Sequence, residues 1–149
     1  MTVSDALRGV VKIGVDSAPI VDFIEQTPGV FDVGPEIFAA IDRGPLTGAT
    51  STVSLTETLV FPMQAGNLKL TDAYREFVQG DGVTFTLLPV TAEIAESAAD
   101  FRARYNLRTP DAIQIATALS AGCDAFLTGD RQLRRVTELN VLMLYDLTL

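Results

Sequence analysis

The chain has 149 residues, of which 48% are hydrophobic, and this length and composition predict one globular domain, residues 1–149, with a sizeable core. No apolar run approaches the roughly 18 residues of a membrane span, and the N-terminus lacks the apolar region of a secretory signal, so we expect a cytoplasmic protein. The net charge of −8 argues against non-specific attraction to nucleic acid.

The predicted elements alternate between short apolar strands and amphipathic helices. A strand over residues 10–15 precedes a helix that Ser17 caps, and a second helix spans residues 34–44. A strand over residues 49–53 leads into a capping box, Ser54 with Glu57, that begins the third helix. The remaining predicted elements are, in order, a helix over 69–78, a strand over 83–90, a helix capped by Thr91 that reaches residue 105, a helix over 109–121, a strand over 125–128, a turn capped by Asp130 and a strand over 141–144.

This alternation is typical of parallel strand pairing, because a helix returns the chain to the same end of the sheet after each strand. The sequence therefore predicts a three-layer α/β/α sandwich with a central, mainly parallel sheet.

The sequence contains no histidine and a single cysteine, Cys123. Ser–His–Asp and Cys–His nucleophilic sites, histidine general bases and zinc sites of histidine or several thiolates are therefore excluded. Cys123 has no partner for an internal disulfide, and we expect it to be a small buried residue. Any hydrolytic chemistry must rest on carboxylates, hydroxyls and a hard metal ion.

Four acidic residues are placed so that they can meet at one edge of the predicted sheet. Asp16 ends the first strand, and Asp130 follows the fourth strand by two residues. Glu57 is expected in the first turn of the helix after the second strand, and Asp111 in the first turn of the helix before the fourth. Ligands bind outside the carboxyl ends of strands in open parallel sheets, so this edge is a candidate site. The alternative is structural, because an acid at the start of a helix also stabilises that helix.

Basic residues are concentrated near the last two of these acids. Residues 101–149 contain six of the 11 basic residues of the chain, namely Arg102, Arg104, Arg108, Arg131, Arg134 and Arg135. These arginines either hold phosphate groups or form solvated helix faces.

Four motifs together resemble the PIN domain, as found in VapC-like toxins. They are Asp16, the hydroxyl-rich approach to Glu57, the Thr-Pro-Asp-Ala stretch at 109–112 and the Thr-Gly-Asp stretch at 128–130. Their order, spacing and intervening elements agree with that family over nearly the whole chain.

The resemblance implies a metal-dependent ribonuclease site. The acids that would be both catalytic and metal-binding are Asp16, Glu57, Asp111 and Asp130. Thr128 would support the site from the end of the fourth strand, and Ser17 stands where the family has a small residue after the first Asp. Ala18 departs from the family, whose opening motif commonly has an Asn at this position.

We therefore expect an endoribonuclease that uses Mg²⁺ or Mn²⁺, both of which prefer oxygen ligands, and that acts as the toxin of a type II toxin–antitoxin pair. The expected partners are an RNA substrate, a cognate antitoxin that covers the acidic pocket and a second copy of the chain in a homodimer. Arg108, Arg131 and Arg134 would contact phosphates. Apolar residues that could serve for dimerisation, or simply lie in the core, are Phe31, Phe38 and Phe77.

A second hypothesis is a catalytically inactive PIN-like module that binds RNA or protein. The acidic net charge, the missing Asn at Ala18 and the capping roles available to Glu57 and Asp111 motivate it.

Overall fold

The computed structural model describes residues 1–29 and 32–149. Its strands are, in chain order, β1 (Lys12–Val15), β2 (Thr47–Ser51), β3 (Phe85–Leu88), β4 (Ala125–Thr128) and β5 (Asn140–Met143). Its helices are α1 (Val3–Ala6), α2 (Ser17–Ile24), α3 (Val33–Asp42), α4 (Thr52–Gln64), α5 (Leu68–Gln79), α6 (Ala92–Tyr105) and α7 (Thr109–Ser120), with 3₁₀ turns at Arg131–Arg135 and Leu144–Asp146. In the described part of the chain, no helix has the length and hydrophobicity of a membrane span.

The five strands form one parallel sheet in the order β3-β2-β1-β4-β5. All five carboxyl ends therefore lie at one edge of the sheet. The strand order reverses between β1 and β4, and such a switch point opens the crevice in which α/β proteins bind ligands.

Two hydrophobic clusters cover the two faces of this sheet. Alternate residues of β1 point to opposite faces, so that Ile13 and Val15 join a cluster with α2, α3 and α5. On the other face, Phe126 of β4 packs with α6 and α7. Helices on both sides of a parallel sheet confirm the predicted three-layer α/β/α architecture.

Several boundaries agree with the sequence. The strand predicted over residues 125–128 is β4, and α7 begins at Thr109. The Thr91 side chain caps α6 by accepting a hydrogen bond from the Ile94 amide. Cys123 is buried as expected, and its burial raises the pKa of the thiol to about 11.

The predicted capping box is wrong. Strand β2 begins and ends earlier than expected, and Ser51, rather than Ser54, caps α4 by accepting from the Val53 amide. Ser54 lies inside the helix and is fully buried, while Glu57 falls in the second turn rather than the first. The carboxylate of Glu57 is thus free for a role other than capping.

Helix α2, which follows β1, also starts differently from the prediction. Asp16 is the N-cap of α2, because its carboxylate accepts a hydrogen bond from the Ser17 amide at 2.8 Å. Ser17 is the first helical residue, and its hydroxyl is directed elsewhere.

The third strand is shorter than residues 83–90, because the Asp81 carboxylate holds the amides of Val83 and Thr84 in a turn before β3. The first strand starts at Lys12 rather than residue 10, and β5 is shifted by one residue from the predicted 141–144. Helix α1 and the 3₁₀ turn at Leu144–Asp146 were not predicted.

Two of the aromatic residues considered for dimerisation, Phe38 and Phe77, pack in or against the core. The Phe38 side chain is buried, and Phe77 is half-buried with its ring centroid 5.3 Å from that of Phe38. Phe23 and Phe85 complete the aromatic cluster. Phe31 lies outside the described residues.

Candidate active site

A cavity of about 400 Å³ opens at the carboxyl edge of the sheet, beside β1 and β4. The residues that line it are Asp16, Ser17, Ala18, Glu57, Arg108, Asp111, Gly129, Asp130, Arg131 and Tyr145. The structure therefore brings together the four acids singled out in the sequence, although they come from four separate elements. We call this cavity the acidic pocket.

Asp16 is the most constrained of the four acids. It directly follows β1, is only 7% exposed and accepts hydrogen bonds from the Thr128 hydroxyl and the Ser17 amide, each at 2.8 Å. Burial raises the pKa of Asp16 to about 6; the two hydrogen bonds oppose this shift, and the negative charges of Asp111 and Glu57 add to it. A cation in the pocket would therefore stabilise the ionised form of this carboxylate.

Glu57 reaches the pocket from α4, and a serine from another helix orients it. The Ser17 hydroxyl donates to Glu57 Oε1 at 2.7 Å. Ser17, predicted as a supporting residue, contacts Glu57 through its side chain and Asp16 through its backbone amide. Ala18, next along α2, is exposed and offers no polar group.

Asp111 opens α7 and is buried against the pocket wall. Its helix has no side-chain cap, and the Asp111 carboxylate accepts from Arg108 Nε at 3.1 Å. Burial raises the pKa of Asp111, while the positive charge of Arg108 lowers it and the charge of Asp130 raises it further. Arg108, predicted to contact phosphate, lines the pocket and pairs there with Asp111.

Asp130 lies just beyond β4 and fills the structural role that the sequence also allowed. Its carboxylate caps the following 3₁₀ turn by accepting from the Gln132 amide at 2.9 Å. The Asp130 amide in turn donates to the Thr128 hydroxyl at 3.0 Å. Thr128, predicted as a supporting residue, therefore links Asp16 to Asp130.

The other two arginines predicted to contact phosphate both pair with one acid. Arg131 donates to Asp146 at 3.1 Å and also lines the pocket, whereas Arg134 donates to Asp146 from outside the lining. Both side chains remain about half exposed or more. They form a basic rim beside the acidic pocket.

Sequence reasoning missed Tyr145, which comes from the unpredicted 3₁₀ turn near the C-terminus. Its hydroxyl donates to Asp22 at 3.0 Å, and its ring lies against Gly129, where an added Cβ would come within 2.8 Å of the ring. The glycine between Thr128 and Asp130 thus makes room for an exposed aromatic ring at the pocket mouth. No local pattern signals this contact, because it joins residues far apart in the chain.

The donor chemistry of the pocket fits a hard divalent cation, because carboxylate oxygens are the ligands that Mg²⁺ and Mn²⁺ prefer. Burial, with a smaller contribution from the negative charges of Asp111 and Glu57, raises the pKa of Asp16, and a bound cation would oppose that shift. Among residues 1–29 and 32–149, however, no three acidic side chains already form a group able to hold an ion. Arg108 engages Asp111 and Ser17 engages Glu57, so these side chains would have to rotate for the acids to hold an ion together.

A second cavity, of about 650 Å³, lies away from the four acids, between α2, α3 and α5. Phenylalanine side chains form much of its wall, including Phe23, Phe38 and Phe77. Acidic residues at its border include Asp42 and Glu76. We call it the apolar groove.

The family model described as "PIN domain" matches residues 15–139 of the chain. No curated protein matches it significantly in sequence. Among solved structures, a toxin–antitoxin complex from Klebsiella pneumoniae is 22% identical with a TM-score of 0.64, and the alignment covers 89% of this chain and 98% of that one.

Two further structures are similar at lower identity. VapBC2 from Rickettsia felis, bound to a DNA fragment from its promoter, is 12% identical with a TM-score of 0.68, over 89% of this chain and 98% of that one. Mycobacterium tuberculosis VapC20, described as a Sarcin–Ricin loop cleaving toxin, is 18% identical with a TM-score of 0.67, over 86% of this chain and 98% of that one. At these identities the likeness shows the fold, and it agrees with the three layers described above.

Proposed function

Because the chain belongs to the PIN domain family, we propose that it is a metal-dependent endoribonuclease and the toxin of a type II toxin–antitoxin pair. The observation that carries this proposal is the convergence of four acids from four elements on one pocket at the switch point of the sheet. The proposed catalytic and metal-binding residues are Asp16, Glu57, Asp111 and Asp130.

The proposed cofactor is Mg²⁺ or Mn²⁺. Bound among the acids, such an ion would lower the pKa of a water and neutralise charge on the scissile phosphate, so that no histidine base is needed. The chain's own residues prepare this site: Thr128 and the Ser17 amide orient Asp16, and the Ser17 hydroxyl orients Glu57. Asp111 would exchange its bond with Arg108 for the ion.

The proposed substrate is RNA, held by the basic rim. A protein with a net charge of −8 repels a polyanion, so local positive charge has to offset this repulsion. Arg108 and Arg131 line the acidic pocket, with Arg134 close behind in the chain. The description of the Mycobacterium tuberculosis neighbour as a Sarcin–Ricin loop cleaving toxin supports RNA as the substrate class.

The proposed antitoxin would cover the acidic pocket, and the apolar groove offers a further surface to which the same partner can bind. Its aromatic wall and acidic border suit a segment that combines apolar side chains with basic ones. Several of the similar structures are toxin–antitoxin complexes, which supports the same kind of partner here.

The proposed homodimer requires a surface other than the buried phenylalanines. Large exposed apolar side chains cluster in sequence at the end of α4 and the start of α5, where Phe61 is 78% and Leu68 is 77% exposed, with Val60 and Met63 nearby. Residues 58–68 contain no charged residue. An uncharged apolar face is where two copies of a strongly acidic protein can approach each other.

The alternative function is a non-catalytic module that binds RNA or protein. Two observations favour it: Arg108 already neutralises Asp111, and the described acids form no ready group for an ion. Calorimetric titration with Mn²⁺ separates the two functions, since the module would not bind the ion at millimolar concentration.

Cleavage of structured RNA by the purified protein with Mg²⁺ tests the proposal. Asp16→Asn and Asp111→Asn should each lower the rate by about 100-fold or more, because each removes charge that holds the ion and the transition state. Asp72→Asn is the matched control, since Asp72 is an exposed acid on α5 that pairs with Arg75. Equal rates for the wild type and the two pocket variants would contradict a nuclease site here.

A further inference from the structure

A buried glutamine lies directly behind the acidic pocket. Gln114 is on α7, one turn after Asp111, and only 2% of its surface is exposed. Among the described side chains that are almost fully buried, it is the largest polar one other than Tyr74. An amide is costly to bury unless its hydrogen bonds are satisfied, so its partners reveal what it does.

The first set of hydrogen bonds leads from Gln114 back to the sheet. Gln114 Nε2 donates to the Ser54 hydroxyl oxygen at 2.6 Å. The oxygens of Ser54 and Thr50 are 2.8 Å apart, and the Thr50 hydroxyl donates to the Val15 carbonyl at 2.7 Å. Because Thr50 uses its only proton on Val15, the proton between Ser54 and Thr50 comes from Ser54.

The second set leads from Gln114 forward into the pocket. Gln114 Nε2 is 3.4 Å from the Ser17 oxygen, and Ser17 Oγ is 3.1 Å from Ser54 Oγ and 2.7 Å from Glu57 Oε1. A serine hydroxyl has one proton, and the shorter bond to a carboxylate is the stronger of the two. The Ser17 proton therefore goes to Glu57, while Gln114 supplies hydrogens to Ser54 and Ser17.

We propose that Gln114 is a positioning residue for Glu57. By donating to both serines, its amide leaves the Ser17 hydroxyl only the carboxylate of Glu57 as a strong acceptor, and so it sets the rotamer of that carboxylate in the pocket. The role of Glu57 in catalysis rests on the proposed function, but the hydrogen-bond arrangement does not. Helix α7 would then organise two pocket acids, Asp111 directly and Glu57 through Ser17.

The proposed role of Gln114 depends on the hydrogens that its amide donates, and a side chain of the same size without donors would not replace it. A methionine would fill similar space but would leave Ser17 and Ser54 facing each other across 3.1 Å with no donor between them. The Ser54 oxygen, without the hydrogen from Gln114, would then compete with Glu57 for the Ser17 proton, and the Glu57 carboxylate would be held less firmly in one rotamer. Thr117 provides the matched control, because it is equally buried on α7 but donates within its own helix, to the Ile113 carbonyl.

The test compares Gln114→Met with Thr117→Val in the full-length protein. Gln114→Met should lower kcat for RNA cleavage and weaken Mn²⁺ binding, each by about 10- to 100-fold, with little change in KM. Thr117→Val should match the wild type. In a Ser17→Ala background the effect of Gln114→Met should disappear, because the serine through which it acts is absent.

An effect of Gln114→Met that persists fully in the Ser17→Ala background would overturn the proposal, as would equal behaviour of the Gln114 and Thr117 variants in a cleaving enzyme. Should Gln114→Met fail to fold, Gln114→Leu also removes both donated hydrogens without introducing a charge, and the same losses are expected.

A wild type that neither cleaves RNA nor binds Mn²⁺ would overturn the proposed function, and a stability measurement then decides on Gln114. Gln114 and Glu57 share no hydrogen bond, so their effects on the denaturation midpoint of the metal-free protein should add unless Ser17 couples them. Non-additive midpoint shifts for Gln114→Met and Glu57→Gln support the coupling, and additive shifts overturn it.

Discussion

At the scale of single residues, Asp16 shows how the site and the stability of the protein oppose each other. Asp16 directly follows β1, and its carboxylate is buried between Thr128 and the start of α2. Because its pKa rises to about 6 on folding, the ionised form is less favourable in the folded chain than in the unfolded one. Without a metal ion, the acid on which the proposed chemistry depends destabilises the fold.

The Asp16→Asn variant should therefore be more stable than the wild type in EDTA at pH 7.5, by up to about 3 kcal/mol. The folded chain retains a proton on Asp16 between its ordinary pKa of 3.8 and about 6, so this group lowers stability as the pH rises through that window. The advantage of the variant should vanish below pH 4. Urea denaturation of both proteins from pH 3.5 to 7.5 measures it, and a difference independent of pH would contradict this account.

Arg108 should compete with a metal ion for Asp111. Its side chain is largely exposed and donates to an acid that is mostly covered, so replacing it frees that acid without opening the core. We expect Arg108→Ala to bind Mn²⁺ several-fold more tightly and RNA less tightly than the wild type, by calorimetry and filter binding. Arg75→Ala, which breaks a similarly spaced pair on α5, is the control and should change neither. Weaker Mn²⁺ binding in Arg108→Ala would show that the guanidinium assists the ion.

The residue scale is also where sequence reasoning failed for a clear reason. Ser54 and Glu57 fit the spacing of a capping box, but Ser51 offers an equally good cap three residues earlier. Only the packing of α4 against α7, which buries Ser54 beside Gln114, decides between them. The positions of Asp16, Asp111 and Asp130 followed from local patterns at strand ends and a helix start, whereas Glu57 lies one turn further into its helix than its pattern predicted.

At the scale of elements, the position of α7 depends on a close approach to β1. A Cβ on Gly14 would come within 2.7 Å of the Ala118 Cβ and 2.9 Å of the Phe126 ring. Because α7 also carries Asp111 and Gln114, the close contact between Gly14 and Ala118 fixes the position of these two residues relative to β1.

Gly14→Ala should therefore lower the free energy of unfolding by about 1–3 kcal/mol, as overpacking does in other cores, and reduce activity by displacing α7. Gly34→Ala is the matched control, because its Cβ would meet Phe23 at an ordinary 3.8 Å within α3, where alanine favours the helix. Thermal denaturation and RNA cleavage of both variants measure the difference. Equal stability of the two variants would mean that the sheet and α7 adjust freely.

Long periodic elements could be predicted from the sequence, whereas short ones could not. The apolar run of β4 and the capped starts of α6 and α7 carry strong local signals. Helix α1 has four residues, and the 3₁₀ turn that presents Tyr145 has three, so neither shows a period. Their positions follow from tertiary contacts such as the ring of Tyr145 over Gly129.

At the scale of the whole molecule, parallel order brings together residues more than 100 positions apart, such as Asp16 and Thr128. The same order leaves the uncharged end of α4 on the outside.

Phe61→Ser with Leu68→Ser should convert a dimer into a monomer in sedimentation experiments, because it removes the apolar contact area. Val83→Ser, at a similarly exposed valine, should remain a dimer. A monomeric wild type would contradict the proposal that this surface forms a dimer.

The central claim is that the acidic pocket is a metal-dependent ribonuclease centre. Its most direct test measures RNA cleavage and Mn²⁺ occupancy together, by activity assay and calorimetry, for the wild type and Asp16→Asn after treatment with EDTA. We predict that the wild-type cleavage rate rises from zero in proportion to the fraction of protein that has bound Mn²⁺. The Asp16→Asn variant should bind Mn²⁺ much more weakly and should not cleave RNA. Cleavage that persists in EDTA, or equal cleavage by Asp16→Asn, would contradict it.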